Sequence, residues 1–301
     1  MVNYSIKHYK KVQEIVLENG LVKLIIVPEQ GGRIVEYSIE NINILFRNEQ
    51  YKNTIGDINK KRKAENWINF GGYKGWEAPQ INWGWPPVFE LDLGNYDYEL
   101  RKGSNEMQVT LTSEISKMDK LQFVRTIIMH DSSNAIKINE KIINHSNNFK
   151  NLAVWGNTQV ATPGFCEIQL NSDLFFGGIT FYQNFKIPSS KAYELKDRGK
   201  KVLKIICDNC EKFKVGVVTD NEKLKYYLPL NKDKIVIFTI KFNYQGKVVY
   251  PHGSNVEVFV DDILSYAELE VLGKLANVSP KGSISMDMEW DLEMIKNTNE
   301  R

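Results

Sequence analysis

The residues best suited to chemistry fall in three short stretches, and the first has the most unusual composition. Residues 66–90 read Asn-Trp-Ile-Asn-Phe-Gly-Gly-Tyr-Lys-Gly-Trp-Glu-Ala-Pro-Gln-Ile-Asn-Trp-Gly-Trp-Pro-Pro-Val-Phe-Glu, and they hold four of the six tryptophans, Trp67, Trp76, Trp83 and Trp85. Aromatic rings stack on the apolar C–H faces of a sugar, while carboxylates and amides hydrogen-bond its hydroxyls. A loop carrying Trp76, Glu77, Gln80, Trp83 and Trp85 has both components. The same residues would also serve as a lid whose indoles plug the end of a sandwich. The two readings are compatible, because ligand pockets are usually apolar-walled with a few placed polar groups.

The second stretch is Trp155-Gly156-Asn157-Thr158-Gln159. As a strand it puts Trp155, Asn157 and Gln159 on one face, since successive side chains alternate. One aromatic and two amides suit a concave binding surface or a solvent-facing edge. The third stretch is Tyr250–Val260 with Tyr266-Ala267-Glu268-Leu269-Glu270, read as two strands of a hairpin turning at Asp261-Asp262. Glu268 and Glu270 then share a face with Tyr266. Two like charges side by side are either solvated or used. His252 is a candidate acid because an unperturbed imidazole titrates near neutrality, although a lone histidine also serves structure. A turn at 261–262 places residue 255 opposite 270 and His252 on the order of 10 Å from Glu270, at ~3.4 Å per residue and ~4.8 Å between strands. A pyranose ring fits that gap. The expected pocket therefore joins Glu268, Glu270 and His252 to Trp76 and Trp155, with a carboxyl raised by its like-charged neighbour and by desolvation.

Other signals exclude more than they assign. Cys207-Asp208-Asn209-Cys210 has the spacing of zinc and redox sites, but Cys166 is the only other cysteine. Two further zinc ligands and a βαβ setting are both missing, so Asp208-Asn209 reads as a hairpin tip. No dinucleotide, P-loop, serine-hydrolase or zinc-protease motif occurs. The expectation is no metal and no cofactor. With 39 Lys+Arg against 37 Asp+Glu, the net charge of +2 offers no global field for nucleic acid or membrane. The basic run Lys60-Lys61-Arg62-Lys63 lies in the polar stretch 50–66, expected as a solvated loop. No apolar run is long enough to span a bilayer, and Met1–Lys10 lacks an apolar signal-peptide region, so the default compartment is the cytosol.

The elements that must position these residues are strands. Ile136, Ile138, Glu140 and Ile142 alternate with polar residues, and Val35, Tyr37 and Ile39 do the same. Further strands are expected at 12–18, 21–27, 107–112, 121–129, 202–207, 214–218, 234–242, 256–260, 265–272 and 283–292. Turn residues such as Asn19-Gly20 lie between them. No sustained helical period and no Pro/Gly/Ser-rich linker interrupts the series. The expectation is an all-β chain of 301 residues forming one sandwich domain, with a core over about 11–292 and a frayed tail at 293–301.

These stretches, in this order, resemble a bacterial family with the galactose-mutarotase-like (aldose 1-epimerase-like) supersandwich fold. The matching segments are Gln30-Gly31-Gly32-Arg33-Ile34, Phe70 to Gln80 with Trp85-Pro86-Pro87, Trp155 to Gln159 with Pro163-Gly164, and Tyr266 to Glu270 with Pro280 to Trp290. The resemblance implies stacked antiparallel sheets and a sugar ligand on a concave face. Its binding set would be Arg33, Lys74, Trp76, Glu77, Gln80, Trp83, Trp155, Asn157 and Gln159. In aldose 1-epimerases a late-strand glutamate takes the anomeric hydroxyl proton and a mid-chain histidine protonates the ring oxygen. Leu269-Glu270 looks similar to that late strand, which implies Glu270 as base with Glu268 as its alternate. Where those enzymes carry a histidine before Tyr-Phe-Asn, this chain has Trp155 to Gln159, and loss of a general acid costs ~10²–10⁴-fold. Three readings follow: a sugar epimerase-type isomerase, a sugar-binding protein without catalysis, or a partner-binding β protein.

Overall fold

The alternating segments pair into two antiparallel sheets in a computed structural model that describes residues 1–170, 178–197, 200–246 and 248–296. Among the described residues the larger sheet has 12 strands and the smaller 10. At the centre of the larger one lie, in spatial order, Arg33–Ile39, Tyr73–Ala78, Lys150–Ala161, Tyr266–Leu272, Val256–Val260 and Phe213–Val217. The long strands Leu121–His130, Ile136–Asn144, Ser283–Lys296 and Lys234–Phe242 form the middle of the other.

The core lies between the sheets. Trp290 is fully buried there, with Tyr73 and Phe238 each 5.2 Å away by ring centroid and Tyr37 at 5.9 Å. Arg125 and Glu140, both wholly buried, pair at 2.6 Å in the same layer, and Tyr73 donates its hydroxyl to Glu140 at 3.2 Å. The central strands are buried on both faces, so their sequences do not show a clean alternation.

Several expectations are corrected. Residues 66–90 are not one loop: Tyr73–Ala78 is a central strand. Gly75 permits this, since a Cβ there would lie 2.5 Å from the Glu140 carboxyl carbon. The Cys207–Cys210 segment is not a hairpin tip, because Lys201–Cys207 and Phe213–Val217 belong to different sheets and the segment crosses between them. The hairpin after Val256–Val260 turns later than expected. The Asp261 carboxylate accepts the amides of Ile263 (3.0 Å) and Leu264 (2.6 Å), which lengthens the turn and places Glu257, not residue 255, opposite Glu270. A shift of two preserves the sheet face. The chain also forms an exposed first strand, Asn3–Tyr9, before the expected core, and its last strand continues through Lys296; residues 297–301 lie outside those described. Among the described residues, no helix is long and apolar enough to cross a membrane.

Candidate functional site

Register across the larger sheet assembles the site in two rows. Lys74, Asn157, Glu270 and Glu257 stand opposite one another on four adjacent strands. Two residues along, Gln159 faces Glu268, which faces Phe259, which faces Lys214. On the other side of the first row, Trp76 faces Trp155. Strand alternation puts all of them on the face turned away from the second sheet.

Charges on this face are paired. Lys214 Nζ lies 2.7 Å from Glu257 and 2.8 Å from Glu270, and it sits 4.8 Å above the Trp155 ring. Lys74 Nζ lies 3.3 Å from Glu268 and 3.1 Å from Asn157 Oδ1, and it sits 4.5 Å from the Trp76 ring. Gln159 donates to Glu268 and Trp155 Nε1 donates to Glu270, each at 2.7 Å. The two lysines therefore combine ion pairing with cation–π contact.

The three carboxyl groups are driven apart. Burial pushes Glu270 well above the ordinary carboxylate range; Lys214 opposes this, while Glu257 and Glu268 add to it. Burial also acts to raise Glu268, but Lys74 and the Gln159 hydrogen bond outweigh it and hold Glu268 below its ordinary value. At Glu257 burial is likewise outweighed, by Lys214 and by the hydrogen-bonded His252, and the group falls to about 2. Glu257 and Glu268 are thus the readily ionised members of the three, and Glu270 is the one that holds its proton longest. Such separation distinguishes proton acceptors from proton donors.

A cleft of about 350 Å³ opens over this face. Trp67, Trp76, Trp85 and Trp155 wall it, and Glu268 and Lys214 reach it from below. Glu257 and Glu270 have no exposed surface and lie beneath Lys214 and the Trp155 indole. A larger hollow, about 580 Å³, lies on the other sheet around Lys137, Lys241, Asp287 and Glu289. There Lys241 pairs with Glu289 at 2.6 Å and Asn139 with Asp287 at 2.7 Å. The titratable cluster belongs to the smaller cleft. Among the described residues, no group of three or more His, Cys, Asp or Glu could hold a metal.

No protein-family model matches the chain, and no curated protein matches it. Solved structures do. A galactose mutarotase-like protein from Clostridium acetobutylicum matches over 98% of this chain and 98% of its own, with TM-score 0.61 at 12% identity. A candidate mutarotase from Salmonella typhimurium matches over 97% of this chain and 94% of its own, with TM-score 0.63 at 10% identity. The fold is galactose mutarotase-like. A TPR-domain containing protein from Parabacteroides distasonis has the same TM-score of 0.63 at 13% identity over 93% of this chain, which spans only 47% of that protein's length.

Within this galactose mutarotase-like fold the residues singled out in the sequence divide into those at the cleft, those beneath it and those that support it. Trp76, Trp155, Gln80 and Glu268 line the cleft. Lys74, Asn157, Gln159 and Glu270 lie on the same face with almost no exposure. The expected gap between His252 and Glu270 is filled by Trp155, whose ring is 4.9 Å from the imidazole and whose Nε1 bonds Glu270. His252 sits in a turn, Pro251–Gly253, with Nδ1 3.1 Å from Glu257 and Nε2 accepting the Gln80 amide at 3.3 Å. An acceptor Nε2 assigns the neutral ring's proton to Nδ1. Arg33 is wholly buried and binds Asp92 at 2.9 Å rather than lining the cleft. Trp83 packs 5.8 Å from Trp76. Glu77 points to the opposite face of its strand, where Asn82 donates to it at 2.8 Å and burial raises it to about 7.

Asp92, Lys214 and Glu257 are among the site residues that the sequence did not single out. Asp92 accepts from the indoles of Trp67 and Trp76, and Lys214 joins Glu257 to Glu270. Glu257 did leave a signal: a lone carboxylate in Val-Glu-Val-Phe-Val, a run otherwise apolar.

Proposed function

We propose that the cleft binds a sugar ring and that Glu268 acts on it as a base, in an interconversion of the aldose 1-epimerase type. Glu268 carries the reading. Of the three carboxyls it is the one that reaches the cleft, and Lys74 and Gln159 keep it ionised beside the indole walls. The mutarotase-type names of the structural neighbours support the same class.

In this mechanism the ring stacks against an indole and Glu268 accepts the anomeric hydroxyl proton. The C1–ring oxygen bond breaks and the ring oxygen takes a proton. The aldehyde carbon then rotates and the ring recloses, returning both protons. Lys214, held protonated because Glu270 and Glu257 outweigh its burial, shares the cleft floor and is the donor. General acid–base steps of this kind are worth ~10²–10⁴-fold.

A second reading, sugar binding without turnover, draws on His252, whose two ring nitrogens are both engaged away from the cleft. Anomeric exchange followed by NMR on free glucose, galactose, mannose and xylose separates the two. Exchange above the spontaneous rate that disappears in Glu268→Gln supports the isomerase. Saturable binding without exchange supports recognition alone. Neither binding nor exchange overturns both and leaves a partner-binding β protein.

A further inference from the structure

We infer that the mouth of the cleft carries a second subsite, which takes the acidic unit of an oligosaccharide whose neighbouring ring fills the cleft. The inference rests on the sugar-binding reading and extends it outward.

Each lysine in or beneath the cleft has its carboxylate. Lys74 has Glu268, Lys214 has Glu257 and Glu270, and Lys212 has Asp261 at 3.2 Å. An anion entering there competes with groups already paired. Unbalanced positive charge lies on the far side of the tryptophan wall instead. Lys60, Lys61, Arg62 and Lys63 border a shallow pocket whose wall includes Trp67, the same side chain that lines the cleft. Of the segment's carboxylates, Asp57 also borders the pocket against the four cations, and Glu65 is the one an ion pair reaches, from Lys63 at 3.5 Å. Lys60 and Lys61 are exposed and form no ion pair among the described residues.

This basic loop is tied to the loop that bears the indoles. Arg62 Nη2 donates to the Trp83 carbonyl and Arg62 Nε donates to the Pro87 carbonyl at 3.5 Å. Asn66 donates to the Lys61 carbonyl at 3.0 Å. Asp92 fixes Trp67 at 2.7 Å, and Trp85, 47% exposed, packs on Trp67 at 4.9 Å. Arg62 and the Lys61 backbone are thus fixed beside an aromatic rim, and the exposed Lys60 and Lys61 side chains extend from that anchored loop.

Size decides what each compartment takes. The cleft, about 350 Å³, is at the lower end of ligand cavities and suits a sugar ring. The basic pocket, about 40 Å³, has room for a small group and not for a sugar ring. A uronate carboxylate or a sulfate ester on the next unit meets that description, and ammonium groups bind either through charge-assisted hydrogen bonds. Exposure makes the attraction dependent on salt.

Tryptophan fluorescence titration of the full chain tests this with digalacturonate, its methyl ester and a sulfated chondroitin disaccharide. The expected result is at least tenfold tighter binding of an acidic disaccharide than of the uncharged ester at low salt. That preference should vanish in K60A/K61A and at high salt. If the sulfated disaccharide alone shows it, the subsite stands and the anion is a sulfate ester. Equal affinity for acid and ester overturns the inference, as does binding of a free neutral aldose with no acidic disaccharide bound. If neither aldoses nor disaccharides bind, the sugar-binding reading itself falls and this inference falls with it. A single-stranded oligonucleotide that binds through Lys60 and Lys61 while no acidic sugar does would also overturn it, since basic and aromatic rims serve nucleic acid too.

Discussion

Asp92 and Trp76 are joined by a 2.8 Å hydrogen bond in which the indole Nε1 donates to Oδ1. The other carboxylate oxygen takes the Trp67 indole at 2.7 Å, and buried Arg33 balances the charge at 2.9 Å. One carboxylate that never reaches the cleft thus orients two of its walls. Asp92→Ala should leave Arg33 buried without an anion and cost about 3–5 kcal/mol, measured by urea unfolding. The pair Arg33→Met/Asp92→Leu should recover much of that stability while sugar affinity stays lost, because the indoles remain unheld. Wild-type stability in Asp92→Ala would refute the arrangement.

The two late-strand glutamates should respond differently to the same change. Glu268→Gln removes the ionised carboxylate at the cleft, so anomeric exchange should fall by ~10²–10⁴-fold with the fold intact. Burial disfavours the charged form of Glu270 and keeps it out of the cleft, so Glu270→Gln retains an acceptor for the Trp155 N–H and leaves the carboxylate at the cleft in place. Its exchange rate should stay well above that of Glu268→Gln. The reverse order would return the base to Glu270, the assignment that the resemblance of Leu269-Glu270 implies.

The sequence disclosed elements wherever one sheet face meets solvent or a turn marks the end. Val12–Glu18, Lys234–Phe242 and Val256–Val260 have the bounds that their apolar patterns and flanking turns imply. Tyr73–Ala78 did not, because burial on both faces erases the alternation and Gly75 imitates a loop. At the site, Trp155, Asn157 and Gln159 followed from strand alternation alone. Lys214 and Asp92 could not, since their partners come from register between strands and loops distant in the chain. The hairpin register failed by two residues because the Asp261 carboxylate extends the turn, a side-chain contribution that strand spacing does not encode.

Gly75→Ala tests how tightly the site strand is fixed. The added Cβ would lie 2.5 Å from the Glu140 carboxyl carbon, and Glu140 cannot withdraw without weakening its 2.6 Å pair with buried Arg125. Overpacking costs about 1–3 kcal/mol, and the disturbed ion pair adds to it. Because Lys74 and Trp76 flank this glycine, the variant should lose sugar affinity along with stability. Thermal unfolding and fluorescence titration of one sample report both. A fully stable Gly75→Ala would show that the two sheets are less closely packed than the geometry requires.

Glu77 should impose a pH dependence of defined sign. Burial raises it from 4.5 to about 7, with nearby Asp119 adding to the rise and the Asn82 hydrogen bond and Lys150 opposing it. The folded chain therefore holds this proton more tightly than the unfolded chain does. Its contribution to stability is complete below about pH 4.5 and declines as pH rises to 7, by about 3 kcal/mol at 1.36 kcal/mol per unit. Glu77→Gln removes the titration and can keep the 2.8 Å bond from Asn82 through its amide oxygen. The variant should match wild type near pH 4 and exceed it at pH 8. Urea unfolding of both proteins across that range isolates the difference, since every other titrating group is common to the two. A gap that is constant with pH, or that widens toward acid, would exclude a buried Glu77 proton. Asn82 precedes Trp83 and Trp85 in the chain, so ionisation of Glu77 also acts on the segment that carries the cleft's aromatic wall.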